Sequence, residues 1–217
     1  MYSNGQERGD TMAKAKKSAK PDNLNARILE AALPDVAFDG WTGELLARAA
    51  KRLKLDEDDV AAAFPEGPLG LVKYFSEWAN LGMIEKLPAK KLATLKVREK
   101  VALGVRTRLE LLAPHKQAVA AALAFLAPPP KNLLLPKMVW TTADVIWRAA
   151  GDTATDYNHY TKRILLSGVL TSTTLYWLND KSDDNEKTWA FLARRIDNVL
   201  KIGQVLGKLK SRKEAAK

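Results

Sequence analysis

Helical periodicity is the feature that most constrains what this chain can fold into. Apolar side chains recur three and four residues apart in nearly every segment, and no alternating strand pattern stands out. With 217 residues, 47% of them hydrophobic, the chain is long enough to bury an apolar core. The pattern therefore predicts an all-α protein of about nine helices.

Turn-forming residues divide this pattern into a small unit and a larger part. A first helix is expected over 24–38, and two shorter helices follow over 44–53 and 56–64. These are the proportions of a helix-turn-helix. The predicted divisions are a disordered basic tail over 1–23, a helix-turn-helix-like three-helix unit over 24–66, a larger helical part over 67–207 and a basic tail over 208–217.

Later prolines and glycines place further elements. Pro88 is expected to open a long helix that Pro114 closes, and Gly151 is a natural residue to end the seventh helix. The ninth helix is expected over 185–206, with an apolar stripe along one face. The stripe consists of Trp189, Leu192, Ile196, Val199, Gly203 and Leu206.

The charge of the chain does not predict a DNA reader. The net charge is +10, but most of the excess lies in the two terminal tails, which can also attract an anionic bilayer surface. The third helix, in the position of a recognition helix, begins with four acidic residues, 56–59. No Arg, Lys, Asn or Gln lies between Asp56 and Phe64 to read a base. We therefore expect no specific DNA binding and attribute the acids to capping of the helix dipole.

Little in the sequence predicts catalysis. The chain has no cysteine, so it has neither disulfides nor a thiolate metal site. His115 and His159 stand in no metal-binding spacing, and no phosphate loop or dinucleotide fingerprint occurs. The longest apolar run is roughly half the length needed to cross a bilayer. We expect no catalytic residues, no metal and no cofactor; an unrecognised hydrolase using Ser167, His159 and Asp156 is a separate hypothesis.

The segment 138–166 gathers amphipathic rings around a polar Gly-Asp turn. Such rings suit the rim of an apolar site or a partner surface. The alternative for Trp140 and Trp147, seven residues apart on one helix face, is an ordinary place in the core. Asp144 is expected to pair with Arg148 at i+4. The rings belong to Trp140, Trp147, Tyr157, His159 and Tyr160.

The eighth helix begins at the same corner. Tyr157 and Ile164 are predicted to line an inward face, next to a polar face that meets a partner. Alternatively, Arg163 pairs with Asp156 and braces the helix. The polar face, with spacing i, i+3, i+4, i+7, consists of Asp156, His159, Tyr160 and Arg163.

The opening block resembles the N-terminal helix-turn-helix of TetR-type regulators, which have an Ala-rich helix, a Gly-aromatic-Thr turn and a Phe-Pro after the recognition helix. This resemblance implies a ligand-responsive transcriptional regulator as an alternative function. The matching residues are Arg27, Ala31, Ala32, Gly40, Trp41, Thr42, Ala47, Ala50, Phe64 and Pro65.

A second resemblance covers almost everything after Leu24. The chain is similar to the coenzyme Q (ubiquinone) biosynthesis accessory proteins, which have a TetR-like fold and bind lipids, including isoprenoid quinone intermediates, that they deliver to the diiron demethoxyubiquinone hydroxylase. The segments that carry the similarity are AALPDVAFDGWT, RTRLELLAP, AAGDTATDYNHYTKR and DNEKTWAFLARRIDNVL.

This resemblance implies roles for individual residues. Asp156, Tyr160 and Arg163 fall on the family's surface for the hydroxylase, and His159 stands where the family often has a tryptophan that gates the lipid. We therefore expect partner binding by Asp156, His159, Tyr160 and Arg163. The expected lipid-binding residues are Trp78, Leu109, Leu112, Met138, Trp147, Tyr157, His159 and Ile164.

The second resemblance thus implies a non-catalytic lipid-binding protein that presents isoprenoid quinone intermediates to the hydroxylase. The part over 67–207 would bind the lipid and form a homodimer, because the last two helices of TetR-type subunits pair in a four-helix bundle. The expected location is the bacterial cytoplasm, with peripheral contact at the inner membrane. Many members of the family continue into an amphipathic membrane helix, whereas this sequence stops at KLKSRKEAAK.

Overall fold

A computed structural model describes residues 24–155 and 157–199, without the side chains of Ala89, Lys91 and Tyr157. Every regular element in these ranges is helical, which confirms the all-α prediction. The helices are α1 (Leu24–Ala32), α2 (Val36–Asp39), α3 (Gly43–Leu53), α4 (Glu57–Ala63), α5 (Pro68–Lys86), α6 (Ala89–Thr94), α7 (Val97–Leu112), α8 (Lys116–Leu126), α9 (Leu134–Ala149), α10 (Tyr157–Asn179) and α11 (186–199).

The predicted first helix is two helices. A turn separates α1 from α2, because Pro34 has no backbone N–H to continue the helix and disfavours helical geometry in Leu33 before it. Helical structure resumes at Val36, after a turn in which the Asp35 N–H donates to the Ala32 carbonyl at 3.0 Å. Gly40 then ends α2 at a φ of 63°, which glycine adopts without strain.

Side-chain caps fix α3 and α4. The Leu45 N–H donates to the Thr42 hydroxyl at 3.2 Å, so Thr42 caps α3 as the sequence indicates. Asp56 accepts from the Asp59 N–H at 2.8 Å, and the Asp59 carboxylate accepts from the Asp56 N–H in return. This capping box gives the acidic start of α4 a local structural role.

The N-terminal unit and the later helices share one apolar core, which extends from Ile28 in α1 to Ile196 in α11. Trp41 joins the two parts. Its ring centroid lies 5.2 Å from that of Phe75 in α5, and its indole N–H donates to the Ala118 carbonyl in α8 at 3.1 Å. The three-helix unit therefore packs directly on the larger part.

The long helix expected between Pro88 and Pro114 is interrupted. Leu95 and Lys96 are extended, so α6 ends at Thr94 and α7 starts separately. The Glu99 carboxylate accepts the Lys96 N–H at 2.8 Å, which stabilises a new helix start over continuation of α6. Farther along α7, an added Cβ at Gly104 would meet Ile146 of α9 at 3.0 Å, so this glycine allows close packing of the two helices.

The turn after α9 is a Schellman motif. Gly151 has a φ of 89°, its N–H donates to the Arg148 carbonyl, and the Asp152 N–H donates to the Trp147 carbonyl at 3.0 Å. Gly151 therefore ends the helix as the sequence predicts. The reversal lays α10 along α9, which brings the polar turn beside the first turns of α10.

The apolar stripe of α11 faces the core of its own chain. Leu192 and Ile196 are 3% and 8% exposed, and the Trp189 indole N–H donates to the Asp184 carbonyl at 2.7 Å. This corrects the expectation that the ninth helix offers this stripe to a second subunit, because Leu192 and Ile196 are buried and Trp189 and Val199 pack against the same core, partly buried. Gly203 and Leu206 lie outside the described residues.

Among residues 24–155 and 157–199, no single helix has the length and apolar content to cross a membrane. One bent pair, 97–126 with 131–149, meets that criterion only when its two parts are taken together, and the bend between them is 116°.

Candidate functional site

Arg163 is the structural centre of the corner between α9 and α10. Its side chain is 1% exposed. The Nε–H donates to the Asp144 Oδ1 at 2.7 Å, and Nη1 donates to the Asp152 Oδ2 at 3.0 Å and to the His159 carbonyl at 3.1 Å. Because Asp144 belongs to α9 and Asp152 to the turn, Arg163 clamps α10 onto both.

This burial corrects the prediction that Arg163 presents its charge on an exposed face. The guanidinium is directed into the protein, where carboxylates satisfy it. The alternative pairing with Asp156 falls outside the described residues, and the carboxylates that Arg163 does contact are those of Asp144 and Asp152.

Two further cations complete the ion cluster. Arg148 contacts Asp144 at 2.7 Å, which confirms the predicted i+4 pair, and Lys162 contacts Asp152 at 2.6 Å. Desolvation by itself raises the pKa of each carboxyl. Hydrogen bonds from Arg163 and Arg148 outweigh it at Asp144, those from Lys162 and Arg163 outweigh it at Asp152, and both pKa values are lowered.

Trp147 and His159 are held by contacts within the chain. The Trp147 indole N–H donates to the Lys162 carbonyl at 3.1 Å, and the Lys162 ammonium lies 5.3 Å from the Trp147 ring centroid. The His159 Nδ1 lies 2.9 Å from the Ala154 carbonyl oxygen, so the proton is on Nδ1 when this hydrogen bond forms. Both rings therefore help to brace the corner.

An aromatic patch remains on the outside of this corner; we define it as Trp140, His159, Tyr160 and Ile164. The ring centroid of Tyr160 lies 6.1 Å from that of Trp140 and 5.2 Å from that of His159. Tyr160 is 58% exposed and Ile164 is 61% exposed. The expected inward position of Ile164 is wrong, because Arg163, Leu166, Leu170, Thr173 and Trp177 form the buried face of α10.

A groove of about 410 Å³ lies between α5 and α9, and we call it the α5–α9 groove. Apolar atoms form most of its surface, although six of the eleven lining side chains carry hydroxyl, amide or charged groups. The lining residues are Lys73, Ser76, Glu77, Asn80, Leu81, Ile84, Leu134, Lys137, Met138, Thr141 and Val145.

A guanidinium adjoins this groove. The Arg108 Nε–H donates to the Asn80 Oδ1 at 2.9 Å, and Nη2 donates to the Ser76 Oγ at 3.2 Å. Asn80 Oδ1 also accepts from the Thr142 hydroxyl at 3.2 Å. Burial lowers the pKa of Arg108 to about 10, so the group stays charged at neutral pH. No carboxylate pairs with it among residues 24–155 and 157–199.

Arg108 was not among the residues predicted from the sequence. The signal for it is weak: Asn80 is a polar residue on the buried side of α5, and Arg108 is one of several charged residues of α7. No local spacing links them, because they are 28 residues apart and meet only where α5 packs on α7.

The structure does not bring the eight expected lipid-binding residues to one cavity. Met138 is the member of that set that lines the α5–α9 groove. Leu109 and Leu112 are 1% and 2% exposed within the core, and the Trp78 ring packs 5.7 Å from that of His115. The side chain of Tyr157 is not described. The functional roles assigned to these residues stay predictions.

Comparisons with known proteins determine the family. The COQ9 family model matches residues 134–203. The ubiquinone biosynthesis protein COQ9-B, mitochondrial, of Xenopus laevis is 35% identical to this chain, over 89% of the chain and 68% of the relative. The chain belongs to the COQ9 family.

Other COQ9 relatives agree. The human protein is 35% identical over 89% of this chain and 63% of its own length, and the Drosophila melanogaster protein is 34% identical over 88% and 59%. The chain thus spans about three fifths of these curated relatives. Both are named mitochondrial ubiquinone biosynthesis proteins, which overturns the expected location in a bacterial cytoplasm.

A solved structure supports the fold of this COQ9 family member. A TetR transcriptional regulator from Nitrosomonas europaea matches with a TM-score of 0.66 and 17% identity, over 82% of this chain and 99% of the regulator. The predicted TetR-like fold is confirmed. At this identity the likeness concerns the fold alone.

Proposed function

We propose that this chain is a non-catalytic accessory protein of ubiquinone biosynthesis that binds an isoprenoid quinone intermediate in the α5–α9 groove and acts in mitochondria. Membership of the COQ9 family supports the pathway and the location. The structural observation that carries lipid binding is the guanidinium of Arg108, held by neutral groups beside an apolar groove.

The groove suits an amphiphile with a long apolar tail. Its volume of about 410 Å³ lies within the usual range of small-molecule sites. Leu134, Met138 and Val145 offer apolar contacts to a prenyl chain. A guanidinium carries five N–H donors. Asn80 and Ser76 engage donors of Arg108, and the remaining donors suit the carbonyl or hydroxyl oxygens of a quinone-type head group.

The aromatic patch is the proposed contact for the demethoxyubiquinone hydroxylase. Exposed aromatic rings are the side chains that protein interfaces favour, and Tyr160 is 58% exposed. Arg163 contributes from within, because its ion pairs fix the start of α10 and thereby the position of Tyr160. Contact with the hydroxylase is thus assigned to the outer side chains.

A homodimer through α10 is a second proposed assembly. Beyond the aromatic patch, the exposed side of α10 carries Gly168, Thr171 and Leu175, at spacings that place them along one stripe. From Ile164 to Asn179 the helix has no charged residue. An uncharged helix face of this kind favours a second α10, in place of the α11 stripe that is buried in its own chain.

The experiment that tests lipid binding is native mass spectrometry of the purified chain, followed by organic extraction. We expect a bound isoprenoid lipid in the parent protein and its loss in Val145→Trp, because the indole fills the groove. Val97→Trp is the matched control, since Val97 is 54% exposed and does not line the groove. A parent protein without lipid, or equal retention in both variants, contradicts the proposal.

We also propose that this protein does not bind specific DNA sites. The capping box at Asp56 and Asp59 supports it, because these carboxylates stabilise α4 at the end that a recognition helix directs to the major groove. Titration of duplexes at physiological salt is the test. A site bound about a thousandfold more tightly than random DNA contradicts it.

A further inference from the structure

Exposed aliphatic side chains border the α5–α9 groove on both sides. On the α5 side, Leu81 and Ile84 line the groove and are 51% and 47% exposed. On the α9 side, Leu133 is 76% exposed and immediately precedes Leu134, which lines the opposite wall. Large aliphatic groups in water at the rim of an apolar groove indicate a surface that meets another apolar phase.

Lysines accompany these side chains. Lys137 lines the groove, and Lys131 lies two residues before Leu133, with its ammonium 3.7 Å from the Phe125 ring centroid. Of the other charged lining residues, Lys73 is neutralised by Glu66 at 2.6 Å, which leaves the carboxylate of Glu77. The α9 side of the rim therefore carries positive charge beside its exposed leucine.

The exposed face of α10 differs from the rim of the groove because it has no lysines among its apolar side chains. It is also apolar at Ile164 and Leu175, but no charge occurs from Ile164 to Asn179. An uncharged face fits a protein surface. Leucines flanked by lysines fit an anionic bilayer, because aliphatic groups enter the interface while ammonium groups stay at the phosphate level.

We propose that the groove rim, defined as Leu81, Ile84 and Leu133 with Lys131 and Lys137, docks on an anionic phospholipid bilayer. This inference rests on the lipid-binding function proposed above and identifies the face through which the ligand enters. With the rim at the interface, the groove opens toward the acyl region. A prenyl chain then passes between bilayer and groove without crossing water.

Residue-specific fluorescence tests this docking face. The chain has no cysteine, so one cysteine provides one labelling position. Full-length Leu133→Cys and Ile84→Cys, labelled with nitrobenzoxadiazole, are mixed with vesicles of equal phosphatidylglycerol and phosphatidylcholine. We expect a several-fold increase in emission, a shift to shorter wavelength, and quenching by nitroxide-labelled lipid. Phe38→Cys and Val97→Cys are controls, because these positions are 91% and 54% exposed outside the groove.

The basic ends of the chain require a second measurement, since they also attract anionic lipid. Vesicle co-sedimentation measures this binding. The double variant Lys131→Glu, Lys137→Glu should bind anionic vesicles roughly tenfold more weakly than the parent protein. The control Lys181→Glu, in an exposed loop away from the groove, should bind like the parent protein. The docking face is overturned by vesicle binding without label insertion at Leu133 and Ile84, by equal insertion at Phe38 and Val97, or by no binding.

Lipid retention and rim insertion test the two proposals separately. If the protein is purified with lipid but the rim labels do not insert, the lipid-binding function stands and the docking face is wrong. If the rim labels insert but the protein never retains lipid, even after incubation with the same vesicles, the docking face stands and the proposed ligand is wrong.

Discussion

Arg163 is buried and Arg108 is half-buried, and their charges are compensated differently. Two carboxylates, those of Asp144 and Asp152, contact Arg163. Neutral oxygens from Asn80 and Ser76 contact Arg108. A desolvated charge is costly unless it is paired. Arg163 therefore belongs to the architecture of the α9–α10 corner, whereas Arg108 retains electrostatic capacity for a ligand in the α5–α9 groove.

Replacement of Arg163 is expected to have the largest effect on folding. Arg163→Leu leaves Asp144 and Asp152 without their shared cation, and removing one partner of a buried ion pair costs about 3–5 kcal/mol. Urea denaturation measures the free energy of unfolding. The control is Arg148→Leu, because Arg148 also contacts Asp144 but its side chain is 70% exposed, and its loss should cost under about 1 kcal/mol. Equal losses in the two variants contradict the clamp.

Acid is expected to weaken the same corner. The pKa values of Asp144 and Asp152 are lowered in the folded protein, so both carboxyls contribute stability above the unfolded pKa of about 3.9, and this contribution is lost as the pH falls through the folded values. Urea midpoints measured from neutral pH downward should decrease below about pH 4. Arg163→Leu should flatten this decrease; an unchanged profile in that variant contradicts the assignment.

Arg108 should affect the ligand more than the fold. Arg108→Met removes a charge whose partners are neutral, and Asn80 keeps its hydrogen bond from Thr142, so we expect a stability change of about 1 kcal/mol. Lipid retained after purification should fall by roughly tenfold, as expected for one lost charge-assisted hydrogen bond. Arg106→Met is the matched control on α7, since Arg106 is exposed and pairs with Glu110 at 2.7 Å. Similar lipid retention in the two variants contradicts a ligand role for Arg108.

The two arginines also show which contacts can be predicted from sequence. Periodicity and capping residues predicted the helical fold, the Gly151 turn and the local Asp144–Arg148 pair, because each depends on residues within a few positions. The direction of Arg163 was not predictable, because spacing shows which residues share a helix face but not which face is buried. Its partners lie 19 and 11 residues away, and their approach depends on the packing of α10 against α9.

The candidate ligand site in the α5–α9 groove was also only partly predictable, because it too depends on contacts between distant residues. Met138 was predicted as a lipid contact, but the polar group beside the groove is formed by residues from α5, α7 and α9, and no motif joins them. Leu109 and Leu112 were also expected to contact the lipid. In the structure both pack within the core, and the apolar pattern of the sequence could not distinguish a core position from a cavity wall.

Tyr160, three residues before Arg163, is expected to have the smallest effect on stability. It is 58% exposed, so Tyr160→Ala should change the free energy of unfolding by less than about 0.5 kcal/mol. The same variant should weaken hydroxylase binding by about 2 kcal/mol, because exposed tyrosines are frequent interface hot spots. Isothermal titration with the purified hydroxylase measures the affinity. Tyr176→Ala is the control, since Tyr176 is 37% exposed elsewhere on α10, where it stacks on Phe191. Unchanged affinity in Tyr160→Ala removes the partner role from the aromatic patch and leaves the corner with the structural role of its arginine.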